Sequence, residues 1–304
     1  MDLDQVYRES APFLRGVGYR VCGDVSVAED LLQETFLRAL EQMTSAPPER
    51  DDLLGIFIRL AVPALQSRRS RSYAGRWLPM PVQTDLGGVG VPDAVSANAT
   101  LGFDSLLALE ELEAQARAIF VLGEIAGHSL PAIAEIFALP LEAVELSLVD
   151  SRLALERDGR YPTNLAGSSG IRTLVEGLAT LSGSGAFSFP RDVVAPRLAV
   201  AFDHGGTCNA PDNQSCSPGA AANLLQGLLN HGKAKPEVQT AEVNFAPALL
   251  AEIGESPEGE AERLAILFGR EPSGMLSRIH VVLAPAKLRA LSFDGLRPSL
   301  GELL

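Results

Sequence analysis

Cysteine is scarce. Cys22, Cys208 and Cys216 are the only three in 304 residues, too few and too unevenly placed for a disulfide framework. Long apolar runs are missing as well. No stretch approaches the roughly 18 residues that span a bilayer, and no charged leader precedes an apolar segment. These gaps exclude the disulfide-stapled class. A cytoplasmic protein with neither membrane span nor signal peptide is expected, in which the sequons Asn98-Ala99-Thr100 and Asn213-Gln214-Ser215 are chance matches. His204, Cys208, Cys216 and His231 have spacings that match no common zinc pattern, so no metal and no cofactor are expected. Basic residues are also short. There are 25 Lys and Arg against 38 Asp and Glu, a net charge of −13. Residues 1–97 and 161–304 each carry a net of −3, while residues 98–160, with 4 basic and 11 acidic groups, carry −7. A DNA-binding module normally has a basic footprint, because phosphate neutralisation supplies most of its affinity. What remains is globular: 46% hydrophobic and 21% charged residues, in a chain long enough for two or three domains.

The most informative stretch is Ser26 to Met43, SVAEDLLQETFLRALEQM. Ser26 followed by Glu29 forms a capping-box pattern, which satisfies free backbone N–H groups at a helix start. Ala28, Leu32, Thr35 with Phe36, Ala39 with Leu40, and Met43 then recur at helical spacing and define a face to be buried. Asp30, Gln33, Glu34, Leu37 and Glu41 lie on another face, which periodicity alone reads as solvated. The wording from Asp24 to Leu40, DVSVAEDLLQETFLRAL, resembles region 2 of bacterial extracytoplasmic-function sigma factors. In that family this helix docks on a coiled coil of core RNA polymerase. The resemblance implies that Asp30, Gln33, Glu34 and Leu37 contact polymerase, the acidic groups complementing a basic partner surface.

Residues 4–22 read as a first helix, with Val6, Phe13, Leu14, Val17 and Val21 inward and Arg8, Arg15 and Arg20 outward. Cys22 is expected to pack near its end without chemistry. Asp51 to Leu65 is a third helical pattern that Pro63 should end or kink. Arg68, Arg69, Arg71 and Arg76, with Arg59 upstream, make the one basic cluster. In the sigma family the end of region 2 melts and reads the edge of the transcription bubble, so these arginines are the DNA-contact candidates the resemblance implies. The family's Asn and Asp in this helix are not present here. Tyr73-Ala-Gly-Arg-Trp-Leu-Pro-Met-Pro81 resembles the linker of the sigma subgroup that carries a C-terminal SnoaL-like domain. By itself it is an extended, Pro-rich string with one anchoring tryptophan, Trp77. Residues 82–98 read as a flexible connection.

Residues 99–157 are strongly helical. Gly127-His128-Ser129 is a turn, Ser129 caps a short helix to Phe137, Leu139-Pro140-Leu141 is a second turn, and a helix follows from Glu142 to about Glu156. Helix, short turn, helix is a DNA-binding layout, and its order resembles sigma region 4. Phe120, Val121, Leu122, Ile133, Ile136, Leu139, Val144 and Leu148 would form its core. The recognition helix departs from the family. Glu145 and Asp150 stand near positions that are usually basic, and Arg152 and Arg157 face Glu142, Glu145, Asp150 and Glu156. Promoter DNA is therefore an expected but weakened partner, with Arg152 the candidate contact in this region.

The remainder reads as a helix from Ile171 to Leu181, a strand from Arg197 to Phe202, a helix from Ala220 to His231, and strands at 237–245, 261–269 and 277–284. This order resembles the SnoaL-like, nuclear-transport-factor-like cone, and Ile279 to Leu288 resembles the end of that domain in the sigma subgroup. Asp203, Gly205 and Gly206 match the subgroup's DGGGK loop, which is thought to tune the sigma core; Thr207 stands where its lysine would be. An acid–base pair of the SnoaL-cyclase kind at Asp203-His204 is disfavoured, since neighbours on a strand point to opposite faces. No enzyme is expected.

The expected architecture is α+β and multidomain. An all-α sigma region 2-like bundle (1–72), a linker (73–98) and an all-α region 4-like helix-turn-helix domain (99–158) precede a SnoaL-like α+β cone (165–295). The expected function is that of a sigma factor-like protein that binds core RNA polymerase and directs transcription initiation, with a regulatory C-terminal domain. One alternative is a degenerate regulator that binds polymerase or another protein without promoter recognition. A more distant one is a ligand-binding or catalytic cone, whose ligand the sequence does not identify. Replacing Glu145→Lys and Asp150→Arg should raise duplex affinity by about tenfold in a low-salt shift assay. Unchanged affinity would remove both positions from a DNA-facing surface.

Overall fold

A computed structural model describes residues 3–42, 48–70, 73–84, 102–157, 169–180, 188–230, 232, 235–254, 259–271 and 273–293. Two compact units result. Among the described residues, 3–70 and 105–157 belong to a helical unit, and 73–84, 102–104 and 169–293 to a sheet unit. Residues 73–84, on the N-terminal side of the helix-turn-helix, are thus part of the C-terminal unit.

In the helical unit α1 (Leu3–Cys22), α2 (Val25–Gln42) and α3 (Arg50–Ser70) pack pairwise. Leu14, Val17 and Val21 meet Ala28 and Leu32 and a third row of Leu53, Leu54, Phe57 and Ile58, all buried. A buried leucine of this kind contributes about 2 kcal/mol. Three local expectations are corrected. Asp24, not Ser26, caps α2: its Oδ1 accepts from the N–H groups of Ser26 (2.9 Å) and Val27 (3.3 Å). Glu29 does not close a capping box but pairs with Arg15 at 2.7 Å. Helix α3 does not end at Pro63 but runs on to Ser70, with Pro63 exposed on its outer side and the packed apolar face continuing on both sides of it. Arg20, expected outside, is buried, and burial lowers its guanidinium to about 10.

Helices α4 (Phe103–Leu109), α5 (Ala114–Phe120), α6 (Leu130–Phe137) and α7 (Leu141–Arg157) follow. Helix α5 continues through a wide turn at Val121–Ile125. Ser129 caps α6, its hydroxyl accepting from Ala132 N–H at 3.4 Å. Phe120, Val121, Leu122, Ile133, Val144 and Leu148 are buried as expected, while Ile136 and Leu139 are half-buried. Arg117 ties these helices to α1. Its Nε and Nη2 donate to the carbonyl of Arg20 at 3.1 and 3.0 Å, and its Nη1 pairs with Glu110. Glu110 also takes Arg68 at 2.5 Å, whose other nitrogen donates to the Cys22 carbonyl. Burial pushes the Cys22 thiol up to about 12, which keeps it protonated and inert.

The sheet unit has α8 (Ser169–Thr180), β1 (Val194–Asp203), β2 (Gln214–Cys216), α9 (Pro218–Leu229), β3 (Glu237–Val243), β4 (Ala246–Glu252), β5 (Arg263–Arg270) and β6 (Leu276–Val282). The order across the sheet is β2-β1-β6-β5-β4-β3; β1 and β6 are parallel and the other described pairs are antiparallel. Leu198, Val200 and Phe202 alternate inward along β1 and join Leu174, Leu178, Leu225, Ile266 and Ile279 in one core. The whole is α+β: one helical unit, and one unit built on a mixed sheet interrupted by one helix. Strands β2 and β4 were not expected from sequence. The β3–β4 hairpin turns on Asn244 and Phe245, with φ of +49° and +62°, without the glycine that usually signals such a turn.

Asp104 inserts against this sheet beside Gly269, where a Cβ would lie 2.3 Å from its carboxylate. It accepts from the Arg270 N–H (3.1 Å) and from Arg278 Nη2 (3.1 Å), and bonds His280 Nε2 at 3.0 Å. Burial raises its carboxyl, but the His280 hydrogen bond and the nearby His280 and Arg278 charges outweigh it, leaving it at about 2. The folded value lies below that of a free aspartate, so the stabilisation is present above about pH 4 and is lost as pH falls toward 2. Asp104→Asn should therefore cost about 2 kcal/mol at neutral pH. In urea melts that gap should close near pH 2; a gap independent of pH would contradict the assignment.

Candidate functional site

On α2 the buried face is Ala28, Leu32, Thr35, Phe36 and Ala39. The opposite face carries Asp30, Gln33 and Leu37, all exposed, with Leu37 57% exposed. Glu34 is half-buried and accepts from Arg38 Nε at 2.7 Å, one turn on. Leu40, expected to be buried, is 46% exposed and extends the same surface; Met43 lies outside the described residues. Two leucines in an acidic surround can exclude water against a partner while the carboxylates select a basic one.

The described candidate DNA-contacting arginines have different settings. Arg59 is exposed on α3. Arg68 is turned inward onto Glu110 and the Cys22 carbonyl, and burial lowers its guanidinium. Only the backbone of Arg69 is described, and Arg71 lies outside the described residues. Arg76 is exposed, but in the sheet unit. Arg152, exposed on α7, donates through Nε to Glu124 at 3.1 Å. Arg68 and Arg152 thus hold internal carboxylates.

The most elaborate site surrounds Asp203, at the end of β1. Its side chain has no exposed surface. Tyr73 donates its hydroxyl to Oδ1 at 2.5 Å, Leu78 donates its N–H to Oδ2 at 2.7 Å, and the Lys287 ammonium reaches Oδ2 at 2.5 Å. Lys287 also donates to the Leu78 carbonyl and lies 4.1 Å from the Trp77 ring centroid and 5.0 Å from that of Tyr73. The Asp203 carbonyl accepts from Leu283 and Ala284. One carboxylate therefore joins the segment Tyr73–Leu78, the end of β1 and the 3-10 turn Pro285–Ala290. Glycines make the close approach possible. Gly75 has φ of +82°, and a Cβ there would sit 2.5 Å from the His204 ring. Gly205, at φ of +57°, packs under the Tyr73 hydroxyl.

Asp203, Gly205 and Gly206 were anticipated as a loop of interest; Lys287 was not. Thr207 stands where the motif's lysine would be, and the charge contact is made instead by Lys287, 84 residues beyond Asp203. The signal available was a lone lysine in the apolar run VVLAPAKL, where a cation needs a counter-charge. Residues 82–84, read as flexible, are ordered against the same unit: Val82 N–H donates to Asn244 Oδ1 at 3.1 Å, and Gln83 bridges to Val243.

The Asp203 carboxylate is fully used by donors, and His204 Nδ1 accepts from Gly206 N–H at 3.2 Å, so the two do not converge on a pocket. Among the described residues no three His, Cys, Asp or Glu side chains gather as metal ligands, and no helix is long and apolar enough to cross a membrane. An open cleft of about 580 Å³ lies beside α9, lined by Asn209, Pro211, Asn223, Leu224 and Glu260 among others.

Comparison with known proteins bears on these surfaces. The Sigma-70 region 2 family matches residues 6–77. The ECF RNA polymerase sigma factor SigJ of Mycobacterium tuberculosis (strain ATCC 25618 / H37Rv) is 36% identical over 120 residues, 39% of this chain and 38% of SigJ. The probable ECF RNA polymerase sigma factor SigI of Mycobacterium tuberculosis (strain CDC 1551 / Oshkosh) is 29% identical over 128 residues, 40% of this chain and 43% of SigI. The chain thus spans about two-fifths of the length of the curated relatives it matches. The crystal structure of Mycobacterium tuberculosis SigJ superposes on 96% of this chain and all of its own, with a TM-score of 0.71 at 20% identity.

Trp77 is the one tryptophan and reports directly on the Asp203 cluster. Lys287→Met should strand a buried carboxylate and destabilise the sheet unit by about 3–5 kcal/mol. The Trp77 emission should shift to the red at denaturant concentrations where the natural chain is unchanged. Emission and midpoint both unaltered would mean that Lys287 does not hold this segment.

Proposed function

We propose that this chain, similar to the SigJ-like extracytoplasmic-function sigma factors in its region 2 helices and its fold, binds core RNA polymerase and takes part in transcription initiation. The observation that carries this reading is the outward face of α2. Asp30, Gln33, Glu34 and Leu37 lie together inside the matched region 2 segment, with Leu40 beside them. A helix in a packed bundle has no internal need for two exposed leucines, and such a patch suits a protein partner. Arg59, Arg69, Arg71 and Arg76 remain the candidates for phosphate contact with promoter DNA. The sheet unit is the proposed regulatory module, with Asp203, Gly205 and Gly206 gripping the segment that carries Arg76. The proposed place of action is the cytoplasm, and the proposed role is not enzymatic.

A second reading keeps polymerase binding but drops upstream promoter recognition. It is favoured by α7, where Glu142, Glu145 and Asp150 are exposed and Arg152 is drawn to Glu124. Carboxylates on a recognition helix repel phosphates.

Purified core RNA polymerase separates these ideas from unrelated ones. The natural chain should bind, and Asp30→Arg with Glu34→Arg should weaken binding by at least about tenfold. No binding by the folded natural chain would overturn both readings. Binding without promoter-dependent transcription would select the second.

A further inference from the structure

Helix α7 is apolar on two opposite faces. Val144, Leu148 and Leu155 point inward and, with Ser151, close the helix-turn-helix core. Directly opposite, Leu146, Val149 and Leu153 are 62%, 47% and 52% exposed. They sit at i, i+3 and i+7, a straight stripe of about two turns and roughly 10 Å. Nothing in the packing of the helical unit requires them, since the inner face already supplies its contacts. Exposed Glu145 and Glu156 border the stripe on one side, together with Arg152, which is held by Glu124, and Asp150 borders it on the other, with Glu142 at its start. None of Glu142, Glu145 and Asp150 has a cationic partner among the described residues.

We propose that this outward face of α7 is a docking surface for an amphipathic helix of a partner protein, one whose apolar stripe is flanked by lysine or arginine. The spacing is that by which one helix accepts the i, i+3, i+7 anchors of another. The acidic rim fixes the sign of the flanks. Duplex DNA is a poor occupant, because it would bring phosphates against four carboxylates while leaving three apolar side chains without a matching surface. A second copy of the chain is also a poor occupant, since pairing this face with itself opposes like charges. A basic-flanked helix satisfies the stripe and the rim together. The proposal draws on the helix-turn-helix fold and is independent of polymerase binding through α2.

The test uses the full-length chain and a labelled synthetic peptide of about five helical turns, with leucines at i, i+3, i+4 and i+7 and lysines on the flanks. A scrambled peptide of the same composition is the control. The periodic peptide should bind with a Kd on the order of 10 µM at low salt, weakening as salt rises. Leu146→Gln with Val149→Gln and Leu153→Gln should weaken it by at least about tenfold. All three positions are exposed and glutamine is a good helix former, so an unchanged circular dichroism spectrum is expected. Glu145→Gln with Asp150→Asn should weaken binding less and reduce its salt dependence. Equal binding of the scrambled peptide, no binding of either, or full binding by the triple variant would overturn the proposal. So would duplex binding that the triple variant loses, which would assign the face to DNA. Self-association that the same variant abolishes would assign it to a second copy.

Discussion

A carboxylate with no exposed surface is tolerable only if its oxygens are filled by donors and its charge is met. Asp203 is in that position, and the groups that meet its requirement come from two distant parts of the sequence. Tyr73 and Leu78 belong to the stretch before the helix-turn-helix, and Lys287 follows the last strand. Satisfying one aspartate therefore decides where the segment Tyr73–Leu78 lies, where β1 ends and how the chain turns after β6. Trp77 and Tyr73 flank the ammonium and keep water from it. Buried pairs of this kind add little stability over an apolar substitute, but they penalise every arrangement in which one partner is missing. Their contribution is to specificity of arrangement.

The helical unit repeats the device with the sign reversed. Arg117 is almost wholly buried, and its donors are met by the Arg20 carbonyl and by Glu110, which Arg68 shares. The end of α1, the end of α3 and the start of the helix-turn-helix are joined at one point. Side chains spent on this network are not available to a ligand, which is why a cluster read as basic from the sequence presents fewer free cations than its composition suggests. The outward surfaces are instead acidic with exposed leucines, on α2 and again on α7. For a chain of net charge −13, proteins are more natural partners for those faces than a phosphate backbone.

Much of this was legible in the residues. The region 2 helix, the Ser129 cap and the alternation of β1 follow from side-chain period and cap chemistry, and both act over a few residues. Where local pattern and structure differ, contacts beyond the local pattern account for most of the difference. Glu29, expected to complete a capping box, is held by Arg15 of the neighbouring helix, and Asp24 caps α2. Pro63 did not end α3, since its exposed side faces away from the packed row. Strand β4 went unseen because its turn uses Asn244-Phe245 in place of a glycine signal.

Local sequence by itself determined the helices, most strands, the scarcity of basic surface and the wording that links the chain to sigma region 2. Periodicity and capping are properties of neighbours, so they can be read along a line. Tertiary packing decided which charged groups are spent inside. Arg20, Arg68, Arg117, Asp203 and Lys287 look like surface residues in sequence, and each is buried or half-buried; Arg20 bonds the Gly16 carbonyl one turn back, and the other four meet partners far along the chain. The physical reason is that a charge leaves water only when a counter-charge or donor set is waiting, and the fold alone brings those partners together.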